Sequence, residues 1–122
     1  MFQIIFNAIS AAEMSVLPRI LQLELLEHVQ ELPEDFAEED GRFRQIHRDG
    51  RTLVRVRTKD HRLYVERIPE GILVHRVLSR NTLEDFLFRS KLPMIDDPEE
   101  SDEHQSAIWQ LVEEAEQSGR KS

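Results

Sequence analysis

Apolar residues along this chain change their spacing twice, and the changes divide it into three parts. Phe2-Gln3-Ile4-Ile5-Phe6 is an apolar run of strand length, followed by Asn7. Ser10 and Glu13, three positions apart, then match a capping box that opens a helix. Pro18 interrupts this pattern and restarts it as a first-turn residue. From there Leu21, Leu25, Val29 and Leu32 recur at helical spacing, with Glu24, Glu27 and Glu31 beside them. The spacing predicts two antiparallel helices, or one kinked helix, ending at Pro33, with the polar connection PEDFAEEDG behind it.

Between residues 43 and 78 the period shortens to two. FRQIH and TLVRVRT alternate about the turn pair Asp49-Gly50, and RLYVERI and ILVHRVL form a second pair about Pro69-Glu70-Gly71. Thr82 as cap, with Asp85 at the third helical position, predicts a short helix through Phe88, stopped by Pro93. In the tail, Asp97-Pro98 followed by Glu100 is a further helix start, and Ile108, Leu111, Val112 and Ala115 share a face beyond it. The order, strand then two helices, an antiparallel meander, a helix and an extra helix, is α+β with helices covering the sheet. It suggests a domain over residues 1–92 and an acidic tail with an amphipathic helix over 93–122.

Charge sharpens this division. The net charge of −8 over 122 residues conceals strong segregation. Residues 1–41 hold one Arg against nine acids, residues 42–91 hold thirteen Lys/Arg against six, and residues 92–122 hold two against nine. Local charge therefore favours a polyanionic partner where the whole-chain value does not. The absence of cysteine removes disulfides and thiol nucleophiles from consideration. None of the five histidines has a partner at metal-ligand spacing, so neither a metal nor another cofactor is expected. No signal-peptide pattern or run of membrane-spanning length is present, which makes a cytoplasmic location with no membrane partner the expectation.

The basic middle has a definite geometry if its strands are correct. In Leu53-Val54-Arg55-Val56-Arg57 the valines take one face and the arginines the other, and in the next strand Leu63 and Val65 oppose Arg62 and Tyr64. Guanidiniums around one tyrosine suit a phosphodiester backbone, the former for phosphate and the latter for stacking on a base. The same pattern also describes an ordinary solvated sheet face, with Glu66 pairing some of the arginines. Arg80, between the last strand and a helix start, favours the anion-binding reading. His61 has the titration range of a general base, but a lone histidine at a turn is more often simply exposed. His75 in the last strand and His28 on the second helix read as structural.

The stretch from Thr52 to Leu87, TLVRVRTKDHRLYVERIPEGILVHRVLSRNTLEDFL, resembles the RelE/ParE superfamily of bacterial toxins. The cues are Arg55-Val56 through Asp60 to Arg62-Leu63-Tyr64, and Val77, Arg80, Asp85 and Phe86 in the closing helix motif. FQIIFNAISAAEMSVLP is similar to the family's first strand and helix. The resemblance covers about residues 1–90 and implies a RelE-like α+β fold. It also implies a toxin of a type II toxin–antitoxin pair, with an antitoxin, the ribosome and mRNA as partners. RelE-like enzymes cleave mRNA in the ribosomal A site without metal, by attack of a ribose 2′-OH on the adjacent phosphate. On that resemblance Arg55, Arg62 and Arg80 are the catalytic candidates and Phe86 stands at the stacking position. The alternation adds Arg57 and Tyr64 as RNA contacts, and His61, next to Arg62 in the chain, joins them as a group that could compensate for the family's missing polar residues.

Two positions depart from the family. Leu53 stands where a strand lysine is expected, and Phe86 where a stacking tyrosine is expected. Both suit the alternative, a gyrase-poison type or a toxin fold reduced to a binding module. The tail lies outside the resemblance. It suits either a solubilising segment whose Ile108/Leu111 stripe packs on its own sheet or forms a homodimer, or a lid over the arginine face.

Overall fold

The computed structural model describes residues 3–32, 42–93 and 101–119. Five strands form one sheet: β1 (Gln3–Phe6), β2 (Phe43–Arg48), β3 (Arg51–Arg57), β4 (His61–Ile68) and β5 (Gly71–Ser79), in the order β1-β5-β4-β3-β2. β2 to β5 make the expected antiparallel meander, and β1 adds to β5 in parallel, from Gln3 opposite Gly71 to Phe6 opposite Val74. The sheet is therefore mixed rather than antiparallel throughout. A parallel partner requires a long crossover, and α1 (Ala8–Ser15) and α2 (Arg19–Gln30) lie within that crossover. Asp49 (φ 52) and Gly50 (φ 78) are both left-handed, as the tight turn joining β2 to β3 requires.

Caps fall elsewhere than the sequence pattern predicts. α1 is capped by Asn7, whose side chain accepts from the Ser10 amide at 2.7 Å, while the Ser10 hydroxyl accepts from the Asn7 amide at 3.0 Å. Ser10 is thus the third helical residue rather than the cap. Glu13 is drawn out of the predicted box by β5: it accepts from the Arg76 guanidinium at 2.8 Å and from the Val77 amide at 2.8 Å. The helix after β5, α3 (Arg80–Arg89), is capped by Ser79, which accepts from the Thr82 amide at 3.1 Å. Thr82 therefore lies inside the helix. α2 closes at Gln30, short of the predicted end at Pro33, which with the connection behind it lies outside the described residues.

The tail helix, α4 (Asp102–Gly119), follows Ser101, whose carbonyl accepts from the Gln105 amide at 2.9 Å. The Asp97 start predicted from sequence lies outside the described residues. His104 fastens this end of the helix by a 2.8 Å hydrogen bond between its Nε2 and the Pro93 carbonyl.

The sheet is buried on both faces. On one, Val54, Val56, Leu63, Val65, Ile72 and Val74 pack against Met14 of α1 and Leu25 and Val29 of α2. On the other, Ile46, Leu53, Tyr64 and Leu78 pack against Leu83 and Leu87 of α3 and Ile108, Trp109, Leu111 and Val112 of α4. Buried side chains of this size contribute about 1.5–3 kcal/mol each, so α4 is a substantial part of the second layer. Among the described residues no helix is long and apolar enough to cross a membrane.

Candidate nucleic-acid interface

Cross-strand register places the arginines. Arg44 of β2 faces Arg55 of β3, Arg55 faces Tyr64 of β4, and Tyr64 faces Arg76 of β5. Beside that row Arg57 faces Arg62, and Arg48 faces Arg51. Alternation puts these residues on the face of Ile46, Leu53, Tyr64 and Leu78, beneath α3 and α4. The predicted gathering of Arg55, Arg57, Arg62 and Tyr64 on one face is what the register produces. Arg44, Arg48, Arg51 and Arg76 join it, and sequence reasoning missed them. The alternation of Arg44, Ile46 and Arg48 carried the signal for β2. For Arg76 the signal was hidden, because an irregularity between Tyr64 and Val65 shifts the register of β5.

Like charges directly opposite one another on a sheet repel, so this face needs negative charge close by. α4 supplies part of it. Arg51 Nη2 contacts Glu66 at 2.7 Å and Glu116 of α4 at 3.0 Å, and Arg48 contacts Glu113 of α4 at 3.5 Å. The hydrogen bond to Glu66 raises the Arg51 pKa further, against the cost of burial. Trp109 of α4 stacks near the same guanidinium, 5.3 Å from its carbon to the ring centre. Burial pushes the Glu66 carboxyl upward, but hydrogen bonds from Arg51 and from His75 outweigh this and hold it below its ordinary value. Arg76 joins two helices, bonding Glu13 of α1 and donating to the Leu111 carbonyl of α4 at 3.2 Å.

The face is closed in this conformation. Arg55 and Tyr64 are 0 % exposed and Arg62 is 4 % exposed. Leu53, at the position expected to carry a lysine, is a full member of the apolar layer, and Phe86 packs against its edge. Arg57 is half-buried and Arg80 is exposed. Arg80 opens α3, and its backbone N–H donates to the Asp60 carbonyl at 2.9 Å, tying the helix start to the residue two before Arg62.

His61 does not join the arginines. In β4 it alternates with Leu63 and Val65, so it belongs to the opposite face, across from Ser79. It is 7 % exposed, and burial lowers its pKa despite neighbouring Asp60, which keeps the ring neutral near pH 7. His75, read as structural, fills such a role, with Nε2 2.9 Å from Glu66 Oε1. His28 of α2 approaches Arg42 at 3.4 Å. Among the described residues no group of three His or acidic side chains could hold a metal ion. Compared with known proteins, the chain matches no family model, and no curated protein is significantly similar to it.

Proposed function

We propose that the chain is a RelE-like toxin whose arginine-bearing sheet face engages the phosphodiester backbone of mRNA on the ribosome. The observation that supports this most is the register, which sets Arg55 against Tyr64 and Arg57 against Arg62 on one face, with Arg80 opening the helix beside it. In the reaction, the ribose 2′-oxygen attacks the adjacent phosphorus and the 5′-oxygen of the next nucleotide leaves. A 2′,3′-cyclic phosphate and a 5′-hydroxyl result, and the proton lost by the 2′-OH is balanced by one gained at the leaving oxygen. Arg55 and Arg62 would hold the charge that builds on the phosphate, which is the largest contribution a fixed cation makes. Arg80 would bind the same phosphate from the helix side. Arginine does not give up its proton in this pH range, so these three residues stabilise charge and do not act as the base.

The identity of the base favours a second reading. The one carboxylate described on this face of β4, Glu66, is committed to Arg51 and His75 and is held at low pKa, which makes it a weak proton acceptor. Leu53 offers none. A non-nuclease member that binds RNA or a protein through the same face needs no base, and these two residues suit it.

Mapping mRNA 5′ ends after induction in a bacterial host separates the two. The nuclease reading expects new cuts at A-site codons, reduced at least about a hundredfold in an Arg62→Ala variant, by analogy with loss of a transition-state donor. Growth arrest without new cuts would refute cleavage and leave binding.

A further inference from the structure

The arginine face and the helix over it are complementary in a way that a plain third layer would not require. Between Asp102 and Gly119 α4 carries Asp102, Glu103, Glu113, Glu114 and Glu116 and no Lys or Arg. Two of these carboxylates meet Arg48 and Arg51 at the rim, while Ile108, Trp109 and Val112 lie over the layer containing Leu53 and Tyr64. Tyr64, which faces Arg55 across the strands, lies in the layer that α4 packs on, so an RNA chain laid along this row and the acidic helix cannot both be present. We infer that α4 is an intramolecular inhibitor, whose departure from the sheet uncovers Tyr64 and admits RNA to the arginine row beside it. This rests on the RNA-directed reading of that face.

The contacts are unevenly distributed along the helix. Its first turn is held to the chain just after α3 by His104 and Pro93, and its middle by Arg76 and the Leu111 carbonyl. The ion pairs lie in its second half, at Glu113 and Glu116, with partly exposed side chains on both sides. Of these contacts the rim pairs are the partly exposed ones, so they can be weakened without disturbing the apolar layer around Val112 and Ala115. Apparent RNA affinity is the intrinsic affinity reduced by the fraction of molecules open, so weakening the rim pairs raises it without altering the RNA-binding residues.

The test uses the full chain. Trp109 is its single tryptophan and is 3 % exposed in this interface, so its emission reports release of α4. Two double variants change the net charge equally. Glu113→Gln/Glu116→Gln removes both rim pairs, and Glu103→Gln/Glu114→Gln removes two exposed carboxylates of the same helix. A third protein, Arg48→Cys/Glu113→Cys, is compared before and after closure with a bis-maleimide, and the chain has no other cysteine to interfere.

For a short single-stranded RNA at low salt, the rim variant should bind about tenfold more tightly than the parent. The control variant should bind within about twofold of it, as expected for loss of surface charge alone. RNA should shift Trp109 emission to the red, and the cross-link should abolish binding. Equal affinity in the parent, both double variants and the cross-linked protein would overturn the inhibition and leave the RNA reading standing. Red-shifted emission in the rim variant with no RNA bound by any form would overturn both. If the rim variant fails to fold, the comparison of cross-linked and free protein decides.

Discussion

Replacing Gly71 by Ala should be among the most damaging single-methyl changes in this protein. Gly71 opens β5 at φ 148, a conformation closed to residues with a Cβ, and faces Gln3 across the parallel ladder. An added Cβ would lie 2.1 Å from the Gln3 carbonyl oxygen, 2.6 Å from its nitrogen and 2.9 Å from its carbonyl carbon. All three are backbone atoms, so no side-chain rotation relieves the clash. Backbone strain at such a site costs about 1–3 kcal/mol, and forcing an extra methyl into a packed region about 1–3 kcal/mol more. For a domain of this size roughly 4 °C of melting temperature is lost per kcal/mol, so the variant should melt roughly 8 °C or more below the parent. Gly50→Ala is the control: Gly50 also has positive φ, at 78, but nothing lies within 4 Å of its would-be Cβ. It should lose only about 1 kcal/mol. Urea and thermal unfolding measure both, and amide exchange at residues 3–6 shows whether β1 detaches to relieve the clash. A Gly71→Ala variant no less stable than Gly50→Ala would refute the close approach of β1 and β5.

Ser79→Ala should destabilise the protein by about 1 kcal/mol through loss of the α3 cap, and Thr82→Ala by clearly less; chemical denaturation that ranks them the other way would restore Thr82 as the cap. Glu66 has a folded-state pKa below its unfolded value, so its contribution is complete above about pH 4.5 and is lost as pH falls through the folded value. Glu66→Gln should lower stability at pH 7 by about 1–3 kcal/mol and flatten the loss of stability below pH 4.5. A Gln variant with the parent's acid dependence would show that this carboxylate is not the one titrating.

The parts of the fold legible in the sequence were those with many agreeing signals. The meander from β2 to β5 combined alternation with the turn signals Asp49-Gly50 and Pro69-Glu70-Gly71, and α2 combined Leu21, Leu25 and Val29 at one spacing; both are present. Caps were misplaced because two polar candidates fell within each turn and a cap is worth only about 1 kcal/mol. Tertiary contacts of similar size then decided between them: Ser10 also donates to the Val74 carbonyl at 2.7 Å, and Glu13 pairs with Arg76. The arginine face was legible by alternation in β3 and β4. That rule also assigns His61 to the other face, but reading it by sequence proximity grouped it with Arg62 instead. The parallel pairing of β1 depends on residues almost seventy positions apart, where a single sequence carries no local signal.

That same pairing imposes an order on folding. The hairpins from β2 to β5 close over short turns and can form as soon as each strand exists, whereas β1 has no partner until residues near 71–74 are available. Contacts of such sequence separation form slowly, because the intervening chain must first be brought into place. At about 5–20 residues per second of synthesis, Ile4, Ile5 and Phe6 wait roughly 3–15 seconds unpaired. During that interval they form an apolar segment of the kind that aggregates or recruits a chaperone. Docking of β1 thus removes one exposed apolar segment of a nascent copy, and conditions that slow it should lower soluble yield without touching the stability of the finished fold.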